Sequence, residues 1–200
     1  MTCCKHASGC GAETVDNPQR RNTLKLCSGF VLSMASGLNA QAGEASEARP
    51  DAGDLLVRAD TEGNPVPLKL SDLSVGDKPI VAFPFDAPSG IVKNGSRLNT
   101  IVLLRLPTEM IAEELQTYSV EGVLAYSGIC THQGCAISEY TAKDDVFVCF
   151  CHFTQFRPST GGQVVAGPAP RGLPKLPIKL DGQTLVVAGH FSSKPGVTST

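Results

Sequence analysis

Short apolar runs of β-forming residues recur along the chain from residue 55 onward, with Gly, Pro, Asn and Asp between them. Many short runs of this kind predict strands joined by turns, and therefore a mainly β, antiparallel sandwich or barrel. We expect residues 55–192 to form this domain. The predicted strands are Leu55–Val57, Leu68–Leu70, Ile80–Phe85, Thr100–Leu106, Val123–Ser127, Val146–Cys149, Gln163–Val165, Lys175–Leu180 and Thr184–Ala188.

Two dipeptides between these runs predict tight hairpins. Asn94-Gly95 and Asp181-Gly182 each place residues that tolerate positive φ where a two-residue hairpin needs them. The one helical candidate is Thr108–Gln116, in which Thr108 can cap the first turn and the apolar residues form a stripe. We expect this helix to serve packing rather than chemistry.

The composition suits a β protein and excludes some partners. The chain has 20 Gly and 14 Pro but no Trp, a mix typical of short strands with many turns. Its 17 Lys and Arg residues nearly balance its 19 Asp and Glu residues, so no strong field of one sign arises. We therefore expect no nucleic-acid binding.

The first 42 residues have the form of an export signal. Basic residues precede a mildly apolar run over Leu26–Leu38, and Ala40-Gln41-Ala42 offers a small-residue cleavage site. The pair Arg20-Arg21 resembles a twin-arginine signal, although the flanking residues depart from the usual pattern. The alternatives are a disordered tail or membrane association through residues 24–42, whose apolar run Leu26–Leu38 is shorter than the roughly 20 apolar residues of a full span.

The remaining terminal segments offer little chemistry. Residues 43–54 are rich in Ala, Glu, Asp and Gly, so we expect a flexible linker. Residues 193–200 are predicted to be a C-terminal tail, and His190 is expected to be an exposed surface residue. Three cysteines that precede the signal receive no function; they are Cys3, Cys4 and Cys10.

Cysteines and histidines interleave at one place in the folded part. The sequence there is Cys130-Thr131-His132-Gln133-Gly134-Cys135 and, after thirteen residues, Cys149-Phe150-Cys151-His152. Each loop offers a thiolate, which stabilises ferric iron, and an imidazole, which leaves its iron easier to reduce. Four such ligands fit one asymmetric iron–sulfur cluster of raised reduction potential. A Cys2His2 zinc site uses the same ligand types and is the alternative.

These loops resemble the cluster-binding motifs of the Rieske iron–sulfur family, Cys-x-His-x-Gly-Cys and Cys-x-Cys-His. The resemblance implies a Rieske-type antiparallel β-sandwich or barrel with a small cluster-binding subdomain, which holds one [2Fe–2S] cluster. It assigns Cys130 and Cys149 to one iron and His132 and His152 to the other.

The same resemblance implies further features around the loops. Cys135 and Cys151 match the disulfide of the high-potential branch of the family, which implies an oxidising compartment. Gly167-Pro168-Ala169-Pro170 looks like the proline loop that shields the cluster. The expected surroundings of the ligands are loops 130–135, 149–156 and 167–170, with Gly134, Thr154, Phe156 and Pro168.

The residues after His152 favour one branch of the family. In cytochrome bc complexes the second loop usually continues Gly-Ser-x-Tyr, and both hydroxyls bond to cluster or ligand sulfur and raise the potential. Here the run is Phe153-Thr154-Gln155-Phe156, so only one hydroxyl is retained. This pattern, the proline loop and the leader are together similar to the small subunit of arsenite oxidase.

The similarity to arsenite oxidase implies a periplasmic electron-transfer subunit, exported already folded, that performs no bond chemistry itself. Its partner would be a large molybdopterin-containing catalytic subunit, and its acceptor a cytochrome c or a small copper protein. The main alternative is the Rieske subunit of a cytochrome bc complex, in which residues 43–54 would be a hinge. A third alternative is the ferredoxin or oxygenase component of a ring-hydroxylating system, which normally lacks the additional cysteine pair. The last alternative is a zinc-stabilised binding module.

Overall fold

The computed structural model describes residues 43–60 and 63–198. The predicted export signal over residues 1–42, its alternative as a membrane-associated segment and the three cysteines before it lie outside the described residues. Across the described ranges, no helix has both the length and the apolar character that a membrane crossing requires.

The larger of two antiparallel sheets has eight strands in the order β11-β12-β1-β2-β4-β6-β5, and β3 pairs with the end of β2. Because β5 lies beside β11, this sheet is almost closed into a barrel. Its strands are β1 (Leu55–Arg58), β2 (Ile80–Asp86), β3 (Ile91–Val92), β4 (Ile101–Arg105), β5 (Ser119–Val120), β6 (Val123–Ser127), β11 (Ile178–Asp181) and β12 (Thr184–Val187).

The smaller sheet is inserted between β6 and β11 and has the order β10-β9-β8-β7. Its strands are β7 (Glu139–Thr141), β8 (Val146–Cys149), β9 (Thr154–Arg157) and β10 (Gln163–Ala166). The two Cys/His motifs lie before β7 and between β8 and β9. The predicted mainly β fold with a small subdomain is therefore confirmed.

Strand β4 joins the two sheets because both of its faces are buried. Successive side chains of a strand point to opposite faces. Ile101 and Leu103 belong to the barrel core, whereas Val102 and Leu104 belong to a second core beneath the small sheet. Each fully buried aliphatic side chain contributes about 1.5–3 kcal/mol. The largest side chains of the second core are Tyr126, Phe147 and Phe156.

The hairpin predicted at Asn94-Gly95 is wrong. The chain turns earlier, between β2 and β3, where Asp86 pairs with Ile91 and the intervening Gly90 has a φ of +71°. Gly95 N–H instead donates a hydrogen bond to Ser46 O at 3.0 Å, so this dipeptide is used for a tertiary contact. The hairpin forms at Gly90, a glycine with positive φ that precedes the Asn-Gly dipeptide, and not at the dipeptide itself.

The second predicted hairpin is confirmed. Asp181 and Thr184 are paired at the ends of β11 and β12, and Gly182 between them has a φ of +60°. The strand predicted at Leu68–Leu70 is reduced to isolated bridges followed by a 3-10 turn over Leu70–Asp72.

The predicted helix over Thr108–Gln116 is also wrong. Two 3-10 helices, Thr108–Met110 and Glu113–Tyr118, take its place. The break falls at Ala112, which has polyproline-type rather than helical backbone angles and donates its N–H to Ser159 O at 3.0 Å. A tertiary hydrogen bond thus replaces the helical one at this position.

Residues 43–54 are not the flexible linker that their composition predicted. Residues 43–47 are helical, and the segment that follows is hydrogen bonded to the domain. Asn99 is completely buried; its amide donates to Ala48 O at 2.7 Å and accepts a bond from Arg49 at 3.1 Å. The prediction failed because it considered only apolar burial, whereas polar groups hold this segment.

A buried ion pair completes the attachment of this segment. Lys93 Nζ lies 2.7 Å from Asp54 Oδ2, and the two residues are only 7% and 5% exposed. The same ammonium donates to Arg49 O at 3.3 Å. Because buried charges are costly without partners, the pair fixes residues 49–54 against the loop after β3.

The C-terminal tail predicted over residues 193–200 is packed on the domain as far as Gly196. Pro195 and Gly196 are buried. Just before them, Ser192 N–H donates to Lys175 O, and Lys175 N–H donates to Ser192 Oγ. The folded domain therefore extends at both ends beyond the predicted limits of 55 and 192.

We expect Asp54→Ala to reduce the free energy of unfolding by about 3 kcal/mol, because Lys93 would remain buried without its main partner. Urea denaturation of the full chain, followed by circular dichroism, measures this loss. Asp51→Ala is the matched control, since its carboxylate is 63% exposed and 3.6 Å from the same ammonium; we expect a loss below about 1 kcal/mol. Equal losses would contradict the importance of the buried pair.

Candidate metal centre

The first cluster loop follows β6 and turns back on itself. Cys130 N–H donates to Cys135 O at 2.8 Å, and Gly134 N–H donates to Cys130 O at 3.0 Å. Gly134 has a φ of +75°, a conformation that residues with side chains rarely adopt. Arg97 supports the outside of the turn by donating a hydrogen bond to Gly134 O. Backbone hydrogen bonds therefore define the loop that carries the first two predicted ligands.

The second cluster loop connects β8 to β9. Cys149 and Thr154 are paired at its base, so the sheet ladder ends at a predicted ligand. Phe153 has a φ of +56°, which is uncommon for a residue other than glycine. Its side chain and that of Phe150 are 67% and 63% exposed. Two exposed aromatic residues thus lie within three positions of the exposed His152.

The predicted ligands come together where the loops meet. Cys130 and Cys149 are buried and are not paired in a disulfide within the described residues. The rings of His132 and His152 are nearly perpendicular, and their centroids are 4.5 Å apart. The structure thus combines two buried sulfurs with two imidazoles that are partly or fully exposed.

The chemistry of these groups fits a metal centre. His132 Nδ1 is buried and has no hydrogen-bond partner in the described part of the chain, a costly arrangement unless a metal takes the nitrogen. Burial raises the pKa of the Cys130 thiol, the N–H of His132 opposes this shift, and the neighbouring Cys149 sulfur adds to it. Positively charged iron would stabilise both thiolates. These residues therefore fit a metal centre that is held by two sulfur and two nitrogen ligands.

The other two cysteines of the motifs lie close together beside the centre. Cys135 and Cys151 lie at disulfide distance, and their Cα atoms are 6.5 Å apart. The sulfur of Cys149 is within 4.8 Å of both of their sulfurs. A bond between Cys135 and Cys151 would join the two cluster loops and would remove both sulfurs from the ligand set.

The proline loop packs directly on the second cluster loop. A Cβ on Gly167 would lie 2.5 Å from Thr154 Cα, so only glycine permits this approach. Thr154 is completely buried, and its hydroxyl has no partner within residues 43–60 and 63–198, which leaves it available to a ligand sulfur. Phe156 is also completely buried, whereas Pro168 is exposed.

Comparison with known proteins identifies the domain. Residues 92–177 match the Rieske [2Fe-2S] domain family. A Streptomyces lividans protein named as a cytochrome bc1 complex Rieske iron-sulfur subunit is 32% identical over 152 residues, which cover 72% of this chain and 85% of the relative. This chain belongs to the Rieske family. Its cofactor is therefore one [2Fe–2S] cluster, and the zinc alternatives are set aside.

Other Rieske proteins are also similar to this chain. A Haloferax mediterranei protein named as a respiratory nitrate reductase Rieske subunit is 36% identical over 149 residues, which cover 74% of this chain and 63% of the relative. The chain thus spans less than two thirds of that relative's length. A cyanobacterial plasma membrane Rieske protein from Synechocystis aligns with 60% of this chain and 93% of its own, at 22% identity and a TM-score of 0.38.

Sequence patterns did not reveal several residues that contact the Rieske loops. Thr131 is buried and donates its hydroxyl to Arg171 O at 2.6 Å. Neither this contact nor the bond from Arg97 has a local motif, because both join residues that are distant in sequence. His190 is 77% exposed, as predicted, and lies apart from the loops beside Asp51.

We expect Phe153→Gly to be about 1 kcal/mol more stable than Phe153→Ala. Both variants remove the exposed ring, but only glycine adopts the positive φ at this position without strain. Urea denaturation of the cluster-loaded chains measures the difference. Phe150→Gly and Phe150→Ala serve as controls at a neighbouring exposed residue without positive φ; there, alanine should be at least as stable as glycine. The same order at both positions would show that Phe153 is not strained.

Proposed function

We propose that this Rieske chain is the electron-transfer subunit of a molybdopterin oxidoreductase of the arsenite oxidase type. It receives electrons from the large catalytic subunit and passes them to a periplasmic cytochrome c or small copper protein. The observation that carries the proposal is Phe156, which is completely buried at the place of the tyrosine in the bc-type motif. When bound, the [2Fe–2S] cluster supplies one-electron oxidation and reduction.

One pair of proposed ligands lies on the buried side of the two loops, and the other pair lies on their more exposed side. Cys130 and Cys149 would hold one iron away from water, because both side chains are buried. His132 and His152 would hold the other iron, and the exposure of His152 permits close approach of a redox partner. The exposed Phe150 and Phe153 add apolar surface near this point, which favours a protein partner over a small charged molecule.

The residues behind the second loop favour a potential below that of bc-type centres. Hydrogen bonds to cluster or ligand sulfur draw off negative charge and favour the reduced state. Thr154 retains one hydroxyl for this purpose, but the ring of Phe156 has no donor and packs in the apolar core. Fewer donors leave the reduced state less stabilised.

The attachment of residues 43–54 to the domain independently favours the arsenite oxidase type over the bc-type alternative. In the bc-type alternative this segment would be the hinge of a mobile head. Here Lys93 pairs with Asp54, and Asn99 bonds to the backbone of Ala48, so the segment moves with the domain. A fixed electron relay agrees better with this attachment than a swinging head whose hinge lies in these residues.

The Rieske subunit of a cytochrome bc complex is the second candidate. The relatives that favour it are named as bc1 complex Rieske subunits, among them the protein from Streptomyces lividans. In that function the histidine ligands would accept an electron and a proton from quinol. The relative from Haloferax mediterranei, named for nitrate reductase, shows that similar chains serve other complexes as well.

We also propose that the chain is exported, already folded, to the periplasm and that Cys135 and Cys151 are oxidised there. The twin-arginine-like leader and the closeness of the two sulfurs support this location. Replacement of Arg20 and Arg21 by Lys should abolish export, and cell fractionation tests this. If residues 24–42 act as an anchor, the chain will be found in the membrane fraction.

Mass spectrometry after alkylation tests the disulfide. Alkylation of both Cys135 and Cys151 without prior reduction would refute it.

The partner is tested by purifying the native complex through a tag on this chain. The proposal predicts molybdenum in the complex and an arsenite-dependent electron paramagnetic resonance signal from the reduced cluster. A complex that contains b-type haem, and in which quinol rather than arsenite reduces the cluster, would establish the bc-type function instead.

We expect Phe156→Tyr to raise the reduction potential of the isolated chain, and Thr154→Val to lower it, each by about 60 mV. This value corresponds to one hydrogen bond of about 1.4 kcal/mol in a one-electron couple. Redox titration followed by electron paramagnetic resonance measures the shifts. Thr154→Ser is the control that keeps the hydroxyl, and it should stay close to the wild-type potential. An unchanged potential in Phe156→Tyr would contradict the proposal that Phe156 lowers the potential through a missing hydrogen-bond donor.

A further inference from the structure

The C-terminal segment, residues 193–197, lies against the first cluster loop. Gly196 is buried with a φ of +72°, and a Cβ there would lie 3.3 Å from Ile129 Cγ2. A Cβ on Gly134 would in turn lie 3.8 Å from Val197 Cγ2. Since Ile129 and Gly134 bracket the loop, the segment packs on both of its ends.

Arg171 holds this segment in place through its side chain. Its guanidinium donates to Ser193 Oγ at 3.2 Å and to the carbonyl oxygens of Lys194 and Gly196, both at 2.6 Å. The fixed fork of an arginine suits several acceptors at once, which the single ammonium of a lysine does not match. Three hydrogen bonds from one residue therefore attach the end of the domain.

The backbone of Arg171 reaches the same loop from another direction. Its carbonyl accepts the hydroxyl of Thr131 at 2.6 Å, and Thr131 lies directly between the predicted ligands Cys130 and His132. Arg171 also directly follows the proline loop, which ends at Pro170. One residue thus connects the proline loop, the first cluster loop and the C-terminal segment.

We propose that Arg171 is a positioning residue of the Rieske centre and that residues 193–197 form a strap through which it holds the first cluster loop. The side chain of Arg171 fixes the strap, the strap covers Ile129 and Gly134, and the Thr131 contact fixes the peptide between two ligands. The strap therefore acts on the position of the ligands without itself supplying a ligand. This proposal concerns the isolated chain and is independent of which complex it serves.

The physical basis is the small tolerance of metal ligands for displacement. The backbone hydrogen bonds within the first loop join Cys130 to Cys135 and to Gly134. None of them includes the backbone of His132, so the position of this ligand depends on what packs around the loop. Residues that orient ligands without binding the metal typically change metal affinity by roughly 10- to 100-fold when they are replaced. Loss of the strap should therefore accelerate cluster loss and change the spectrum of the cluster, beyond any effect on global stability.

The test uses the full cluster-loaded chain and three variants, Arg171→Ala, Arg171→Lys and a truncation after Ser192. We measure the rate of cluster loss to an iron chelator, the reduction potential and the electron paramagnetic resonance spectrum. Arg171→Ala and the truncation should each speed cluster loss roughly 10-fold and alter the spectrum in the same way. Arg171→Lys keeps the positive charge, but its rate of cluster loss should lie between those of the wild type and Arg171→Ala. This comparison separates positioning from simple electrostatics.

Arg105→Ala is the matched control, because Arg105 also donates to two backbone carbonyls, those of Glu121 and Leu73, but does so on the barrel. It should lower the melting temperature and leave the spectrum, potential and rate of cluster loss unchanged. In the truncated chain, Arg171→Ala should have no further effect. Full additivity of the two changes, or an Arg171→Ala variant that only lowers the melting temperature, would overturn the proposal.

Discussion

The burial of both faces of β4 and β6 is the constraint on which the rest of the structure depends. Alternate residues of each strand belong to the barrel core and to the second core, so the same two strands support both sheets. A sheet of four short strands needs an apolar face packed against other residues to be stable, and the second core supplies this packing. Since the cluster loops extend from the small sheet and from the end of β6, the site is built on an apolar base.

Close backbone contacts, rather than large apolar side chains, shape the loops themselves. Gly134 closes the first loop with a positive φ, and Gly167 brings the proline loop against the backbone of Thr154. Phe153 occupies a similar conformation without the freedom of glycine. Local strain of this kind is common at functional sites, where the surrounding packing maintains it. In this Rieske chain the strained residue also presents a large exposed ring, so an energetic cost coincides with apolar surface beside the centre.

Much of this arrangement was predictable from the sequence, and the exceptions share a physical cause. The strands with unbroken apolar runs, such as β4 and β6, and the Asp181-Gly182 hairpin follow from local patterns. The Cys/His motifs likewise identify the loops that come together. The helix at Thr108, the hairpin at Asn94 and the linker over residues 43–54 failed because distant polar partners decided each structure.

The same limit applies to the surroundings of the site. The four candidate ligands and the nearby cysteine pair have characteristic spacing, so sequence is sufficient to select them. Arg97 and Arg171 have no such signature, because their partners are carbonyl oxygens that any residue could supply. A hydrogen bond to a backbone carbonyl leaves no trace in the identity of the acceptor residue. Such contacts become visible only when the fold brings the two segments together.

The short 3-10 turn Arg97–Asn99 has a mechanical consequence. Asn99 bonds to the backbone of the segment that begins the described domain, while Arg97 bonds to the backbone of the first cluster loop. Tension applied at residue 43 would therefore reach this turn before it could peel β1 from the barrel. The N-terminal segment and the backbone of Gly134 are thus connected through one 3-10 turn, so a pulling force on the domain at this end would be transmitted to the first cluster loop.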